Sequence, residues 1–216
     1  MWNEDELIRI SFASRIWDEA SDPRETLAEK YLCEFRKLDL PDSLAGAVLR
    51  FHPQCPWRDE NTGKNIRVPA LIAAFRSIDD DSITAVHRIA LNDDGSKLGR
   101  RMLGIVHRAA IKLDPIGSTL AIGEGIETCM AARQLGYSPA WAVGSVGAIS
   151  FFPIIDGVRR LIIFGERGEP SNRAIKFCGK RWRRANRHVR IVMPTVGDDL
   201  NDALIFEVNH GRRTSV

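Results

Sequence analysis

The chain has 216 residues, 44% of them apolar and 27% charged, with 31 Lys and Arg against 28 Asp and Glu for a net charge of +3. That length allows one or two domains with a substantial core, and the composition excludes a disordered chain. No apolar run is long enough to span a bilayer, and the acidic start Asn3-Glu4-Asp5-Glu6 lacks the basic and apolar regions of a signal peptide, so a cytoplasmic protein without membrane contact is expected.

Residues 7–19 and 24–37 read as amphipathic helices, the second introduced by Asp22-Pro23, which suits a helix start. Pro41-Asp42 breaks the pattern. Residues 47–51, 70–77 and 83–91 are rich in β-formers, and Asn92-Asp93-Asp94-Gly95 has the chemistry of a hairpin turn. A small α+β region with an antiparallel sheet is therefore predicted over residues 1–116, with its boundary near Pro115-Ile116-Gly117-Ser118.

From residue 117 to 216 the pattern alternates. Residues 120–123, 140–143, 161–164 and 189–193 are apolar runs of strand length separated by helix-forming segments, which predicts an α/β domain: a parallel sheet with helices on both faces. Between the last two strands, Ile175, Cys178, Trp182 and Ala185 recur at helical spacing, so Trp182 is expected in the core. Arg173, Lys176, Lys180, Arg183, Arg184 and Arg187 take the other faces of that helix.

The four cysteines, Cys33, Cys55, Cys129 and Cys178, are dispersed and lack the close pairing of zinc modules. His52 and Cys55 could supply two ligands, but no second pair follows; reduced structural thiols are expected, with Cys129 and Cys178 on apolar helix faces. His87, His107 and His188 show no partner pattern that suggests catalysis.

Three acidic clusters each follow a predicted strand. Glu124 ends the run 120–123, Glu166-Arg167-Gly168-Glu169 follows 161–164, and Asp198-Asp199-Leu200-Asn201-Asp202 follows 189–193. In open α/β sheets ligands bind beyond the carboxyl ends of the strands, so three such clusters can converge on one point, where oxygen ligands suit Mg²⁺. Each also has a plainer role. Glu124 can face the positive end of the following helix, and Glu127, one turn on, can support the site or lie exposed. Asp199 and Asp202 can hold a cation, and Asp198 or Asp199 can cap the helix that begins near Asn201; both roles can coexist. Arg167 can pair with Glu166 or hold a phosphate.

At these residues the chain resembles the Toprim family, the topoisomerase-primase domain. Glu124-Gly125 matches the family's strand-ending Glu-Gly, and Gly197, Asp199, Asn201 and Asp202 match the late Gly-x-Asp-x-Asn-Asp of phage- and plasmid-type primases. The second motif departs: Asp-x-Asp is replaced by Glu166-Arg167-Gly168, so one carboxylate is lengthened and the other is missing, with Glu169 shifted by one residue. The resemblance covers roughly residues 119–208. Ahead of it, Ala28-Glu29-Lys30-Tyr31-Leu32, Leu49-Arg50-Phe51-His52-Pro53 with Cys55, Pro69-Ala70-Leu71 and Arg101-Met102-Leu103-Gly104 resemble the region preceding Toprim in mobile-element primase-helicases. The zinc-ribbon and helicase modules those proteins often carry are not seen.

The resemblance implies a DNA-associated replication protein whose family chemistry is Mg²⁺-dependent nucleotidyl transfer. Glu124 would act as general acid or base or share the metal, with Glu166, Asp199 and Asp202 as further metal ligands. The departed second motif keeps open a module that has lost efficient catalysis and binds nucleic acid or replication proteins; a Toprim-type nuclease is less favoured by the Asn201-Asp202 motif. A polyanionic partner is also indicated by charge, because residues 158–190 hold eleven basic residues against Glu166 and Glu169. The implied partners are DNA in single-stranded form and a helicase or other replication protein. Arg167, Arg173, Lys180, Arg181, Arg183, Arg184 and Arg187 are the expected nucleic-acid contacts.

Overall fold

The computed structural model describes residues 2–60 and 62–211. Two compact units divide the chain, one of Met1–Phe35 with Asp39–Ala109, the other of Arg36–Leu38 with Ala110–Val216.

In the first unit, α1 (Glu4–Glu19) begins at a capping box in which the Asn3 side chain accepts from the Glu6 N–H while Glu6 accepts from the Asn3 N–H, both at 2.9 Å. Glu4, Asp5 and Glu6 in its first turn complement the helix dipole. Ala13, Ile16 and Trp17 bury against Cys55, Ala70, Ile72, Ala74 and Val86. The second predicted helix is shorter than its sequence pattern: α2 (Leu27–Lys30) runs into a π-helical turn, Tyr31–Phe35. Left-handed backbone at Glu25 (φ 59°) and Lys37 (φ 56°) confines helical geometry to the stretch between them.

β1 (Leu49–Arg58), β2 (Asn65–Ser77), β3 (Ile83–Leu91) and β4 (Lys97–Gly104) form an antiparallel meander. The register of β1 shifts between His52 and Cys55, where Pro53 cannot donate to the ladder. The predicted turn after β3 closes with Asn92 N–H on Ser96 O at 2.8 Å. β4 carries no predicted strand because Lys97, Gly99, Arg100, Arg101 and Gly104 break up its apolar residues and leave no apolar run. His52 is buried, with its Nε2 3.2 Å from Glu19 Oε2.

The second unit is a five-stranded sheet in the order β5 (Ala109–Lys112), β7 (Ala140–Ala142), β6 (Thr119–Gly123), β8 (Arg160–Phe164), β9 (His188–Val192). β7, β6, β8 and β9 are mutually parallel, as the alternating sequence predicts, and β5 adds an antiparallel member. Its helices are α3 (Ile126–Gln134), α4 (Val146–Phe151), α5 (Glu169–Arg184) and α6 (Leu200–Asn209). The predicted apolar stripe of α5 is buried at Ile175, Cys178 and Trp182, with Phe152 stacked on Trp182 at 6.2 Å, but Ala185 lies past the helix end and is exposed. Among the described residues no helix is long and apolar enough to cross a membrane.

Candidate acidic site and basic surface

The strand order puts the three acidic clusters at one end of one sheet, since β6, β8 and β9 are adjacent and parallel and each cluster follows a carboxyl end. Glu124 occupies the turn between β6 and α3, half-buried, and its backbone oxygen accepts from Gly144 N–H at 2.9 Å, which ties the turn to the end of β7. Glu127, in the first turn of α3, is only 4% exposed. This decides against its reading as an exposed helix residue and gives the site a second glutamate beside the helix N-terminus.

Thr128 joins α3 to the third cluster: its hydroxyl donates to Asp199 Oδ2 at 3.1 Å. Asp199 is also the N-cap of α6, its Oδ1 accepting from Asp202 N–H at 2.9 Å, while Asp202 Oδ2 accepts from Asp198 N–H at 3.0 Å. Asn201 is fully buried and donates from Nδ2 to Arg36 O at 2.8 Å; its Oδ1 is buried without a hydrogen-bond partner. The second cluster is tied to the third by Arg167 N–H on Asp198 O at 2.9 Å, and Glu166 N–H donates to Ser171 Oγ at 3.1 Å. Cys129 reports the resulting field. Burial pushes its thiol well above the usual range, and Glu166, Asp199 and Glu127 push it further in the same direction.

Some of these carboxylate oxygens also have structural partners. Both oxygens of Asp199 and one of Asp202 accept hydrogen bonds that hold the α6 entry, and the missing carboxylate falls at Gly168. Among the described residues no group of three or more His, Cys, Asp or Glu is placed to hold a metal ion. Glu124, Glu166, Asp199 and Asp202 are brought to one end of the sheet, where Asp199 and Asp202 also hold the entry to α6.

The basic surface is carried by α5, which starts immediately beyond the second cluster. Arg173, Lys176, Lys180, Arg183 and Arg184 are exposed or line its open faces. Arg173 lies 3.8 Å from Glu169 with both side chains more than 70% exposed, a pairing of little energetic weight. One of the predicted phosphate contacts is committed elsewhere, and another is partly buried. Arg181 is half-buried, its guanidinium donating to Ser150 O at 2.7 Å and also to Phe152 O. Arg187 is half-buried, with its Nε out of reach of solvent. Arg167 is exposed and donates to Thr195 O at 3.4 Å. Thr128 escapes a search for acidic residues, although a hydroxyl four positions after Glu124 on a helix that starts there is a usable signal.

Residues 119–209 match the family model described as Toprim domain, and residues 9–113 match one described as Domain of unknown function (DUF7146). No curated protein matches the chain by sequence. Among solved structures the chain is similar to the zinc-binding and RNA polymerase domains of the Aquifex aeolicus primase, with a TM-score of 0.58 at 12% identity over 98% of this chain and 61% of that one. A DnaG catalytic core gives a TM-score of 0.58 at 13% identity, covering 94% and 76%. The primase fragment of the bacteriophage T7 primase-helicase gives 0.50 at 13% identity, covering 84% and 66%. The chain spans under two thirds of the Aquifex and T7 chains. Residues 119–209 thus match the Toprim domain model, and the chain is similar in fold to primase catalytic cores.

Proposed function

We propose that this chain is a primase-type Toprim module that binds DNA, in single-stranded form, and works beside a helicase or other replication protein of a mobile element in the cytoplasm. The observation that carries the proposal is α5: it begins where the acidic loops end and presents a run of cations with Glu169 as its one acidic residue. Closely spaced cations contribute chiefly by releasing the counterions that nucleic acid otherwise holds. The similarity in fold to primase structures gives DNA as the polyanion.

Nucleotidyl transfer is the second reading. It is favoured by Glu124 at the end of β6 and by the joint field of Glu127, Glu166 and Asp199 at Cys129. In that chemistry Mg²⁺ would neutralise phosphate charge, and this chain's Glu124 would move the proton of the attacking hydroxyl. The capping commitments of Asp199 and Asp202 and the glycine at 168 weigh against it.

Two assays separate the readings. Binding of a labelled single-stranded oligonucleotide should weaken with rising salt, and K180A/R183A/R184A should flatten the dependence of log affinity on log salt by about 0.7 for each phosphate that is no longer neutralised. An unchanged slope would remove α5 as the binding surface. Primer synthesis on single-stranded template with nucleotides and Mg²⁺ or Mn²⁺ should give no product; product abolished by Glu124→Gln would establish the catalytic reading instead.

A further inference from the structure

Phe151 and Phe152 are neighbours at the end of α4 with opposite fates: Phe152 is 2% exposed and stacks in the core, while Phe151 is 72% exposed. Phe151 does not stand alone on the surface. Its ring meets that of Phe177, itself 55% exposed, edge to face with centroids 5.9 Å apart. Phe177 lies off the buried stripe of α5. Arg173, Lys180, Arg181 and Arg184, at i−4, i+3, i+4 and i+7, are its neighbours on the helix surface.

Arg181 links the two aromatic residues. Its guanidinium sits 5.8 Å from the Phe177 ring centroid and donates to Ser150 O and Phe152 O, the carbonyls on either side of Phe151. Trp182 Nε1 also donates to Phe152 O at 3.4 Å, so the end of α4 is held to α5 from two side chains. The pair is therefore fixed in place before any ligand arrives. Scattered exposed aromatics are ordinary, but two in ring contact, held by a partly buried staple and bordered by cations, have the chemistry of a base-stacking platform.

We propose that the Phe151–Phe177 pair stacks on unpaired bases of a single-stranded polynucleotide whose phosphates lie against Lys180, Arg184 and Arg173. The charge around the rings selects a polyanion over an apolar peptide, and the exposed ring faces select bases that are not already stacked in a duplex. This inference rests on the DNA-binding reading of α5 and adds to it the feature that distinguishes a single strand from a duplex of equal charge.

The test measures binding of three labelled probes: an oligothymidylate, an abasic deoxyribose-phosphate strand of the same length, and a duplex. The native protein should prefer the base-bearing strand over the abasic one by at least about fivefold. F151A and F177A should each erode that preference and the double variant abolish it, with abasic and duplex binding and the salt slope unchanged. F151Y/F177Y, which keeps both rings, should retain the preference. If the alanine variants bind the base-bearing strand as tightly as the native chain does, with the salt response intact, the platform is refuted while the DNA-binding reading stands. If none of the probes binds and K180A/R183A/R184A has no effect, both fall. A concentration-dependent dimer in sedimentation that F151A/F177A disperses would assign the pair to self-association and overturn the proposal.

Discussion

Replacing Gly197 with alanine tests whether the third acidic motif is held as tightly as its hydrogen bonds imply. Gly197 has φ +73°, and a Cβ built on it would stand 2.3 Å from Asp202 Cβ and 3.1 Å from Asp202 Cγ and Oδ2. Carbon atoms that touch without strain sit about 3.5–4.0 Å apart, and Asp202 Cβ, being the root of its side chain, cannot swing away. Left-handed backbone costs an alanine about 1–2 kcal/mol. Pushing Asp202 aside also breaks its hydrogen bond from Asp198 N–H, worth about 1.5–3 kcal/mol as a bond to a charged group. The sum is about 3–5 kcal/mol. Gly136 supplies the control, with φ +88° and nothing within 4 Å of a built Cβ, so Gly136→Ala should cost the backbone part alone. With urea m-values of about 1–3 kcal/mol/M, G197A should unfold at a midpoint roughly 0.5–3 M below G136A. Equal midpoints would refute the argument, since they would show that the α6 entry yields to the added methyl without penalty.

Cys33 is exposed, whereas Cys55, Cys129 and Cys178 are buried, and burial pushes the Cys178 thiol up to about 11; a disulfide reagent at pH 8 should titrate one thiol in the native chain and four in denaturant, and a second fast native thiol would contradict the burial. Arg181→Ala should destabilise by about 2–3 kcal/mol through the loss of its bonds to Ser150 O and Phe152 O, whereas exposed Arg184→Ala should stay within about 0.5 kcal/mol, as thermal unfolding of the two variants can show. Mg²⁺ titrated calorimetrically into the native chain should bind weakly, and E166D/G168D should tighten it on the order of tenfold by restoring a carboxylate. Because Gly168 has φ +126°, the same change should lower stability by about 1–2 kcal/mol, and tight native binding or no gain in the variant would oppose this account of the site.

β6, β7 and β8 were legible because each is a short, almost wholly buried apolar run, whereas β9 was legible only from its Val and Ile residues and is largely exposed. β4 was not, because Lys97, Gly99, Arg100, Arg101 and Gly104 interrupt its apolar residues, so no apolar run announces it. The acidic clusters were legible as positions, since they follow strand ends, but the burial of Glu127 and the bond from Thr128 to Asp199 depend on packing between α3 and α6, 71 residues apart for that pair. Arg181 looked like one more surface cation because the carbonyls that engage it lie at the end of α4, about 30 residues away. Phe177 was readable in principle: it is the large apolar residue of α5 that falls outside the Ile175-Cys178-Trp182 stripe.

Among the described residues β9 ends the sheet of the second unit and pairs only with β8, which leaves one row of its backbone N–H and C=O groups without a described strand beside it. Such a row invites addition of a strand from another copy, the route to aggregation, and charged side chains on the strand are what usually deter it. Here the deterrent is Arg190, exposed next to exposed Ile191 and lying over the Tyr137 ring at 5.6 Å. Positive charge on this side of the second unit therefore has two duties, attracting phosphate and keeping copies apart. Neutralising Arg190 to probe nucleic-acid affinity should make the protein more prone to precipitate, and a nucleic acid bound along this side should protect it.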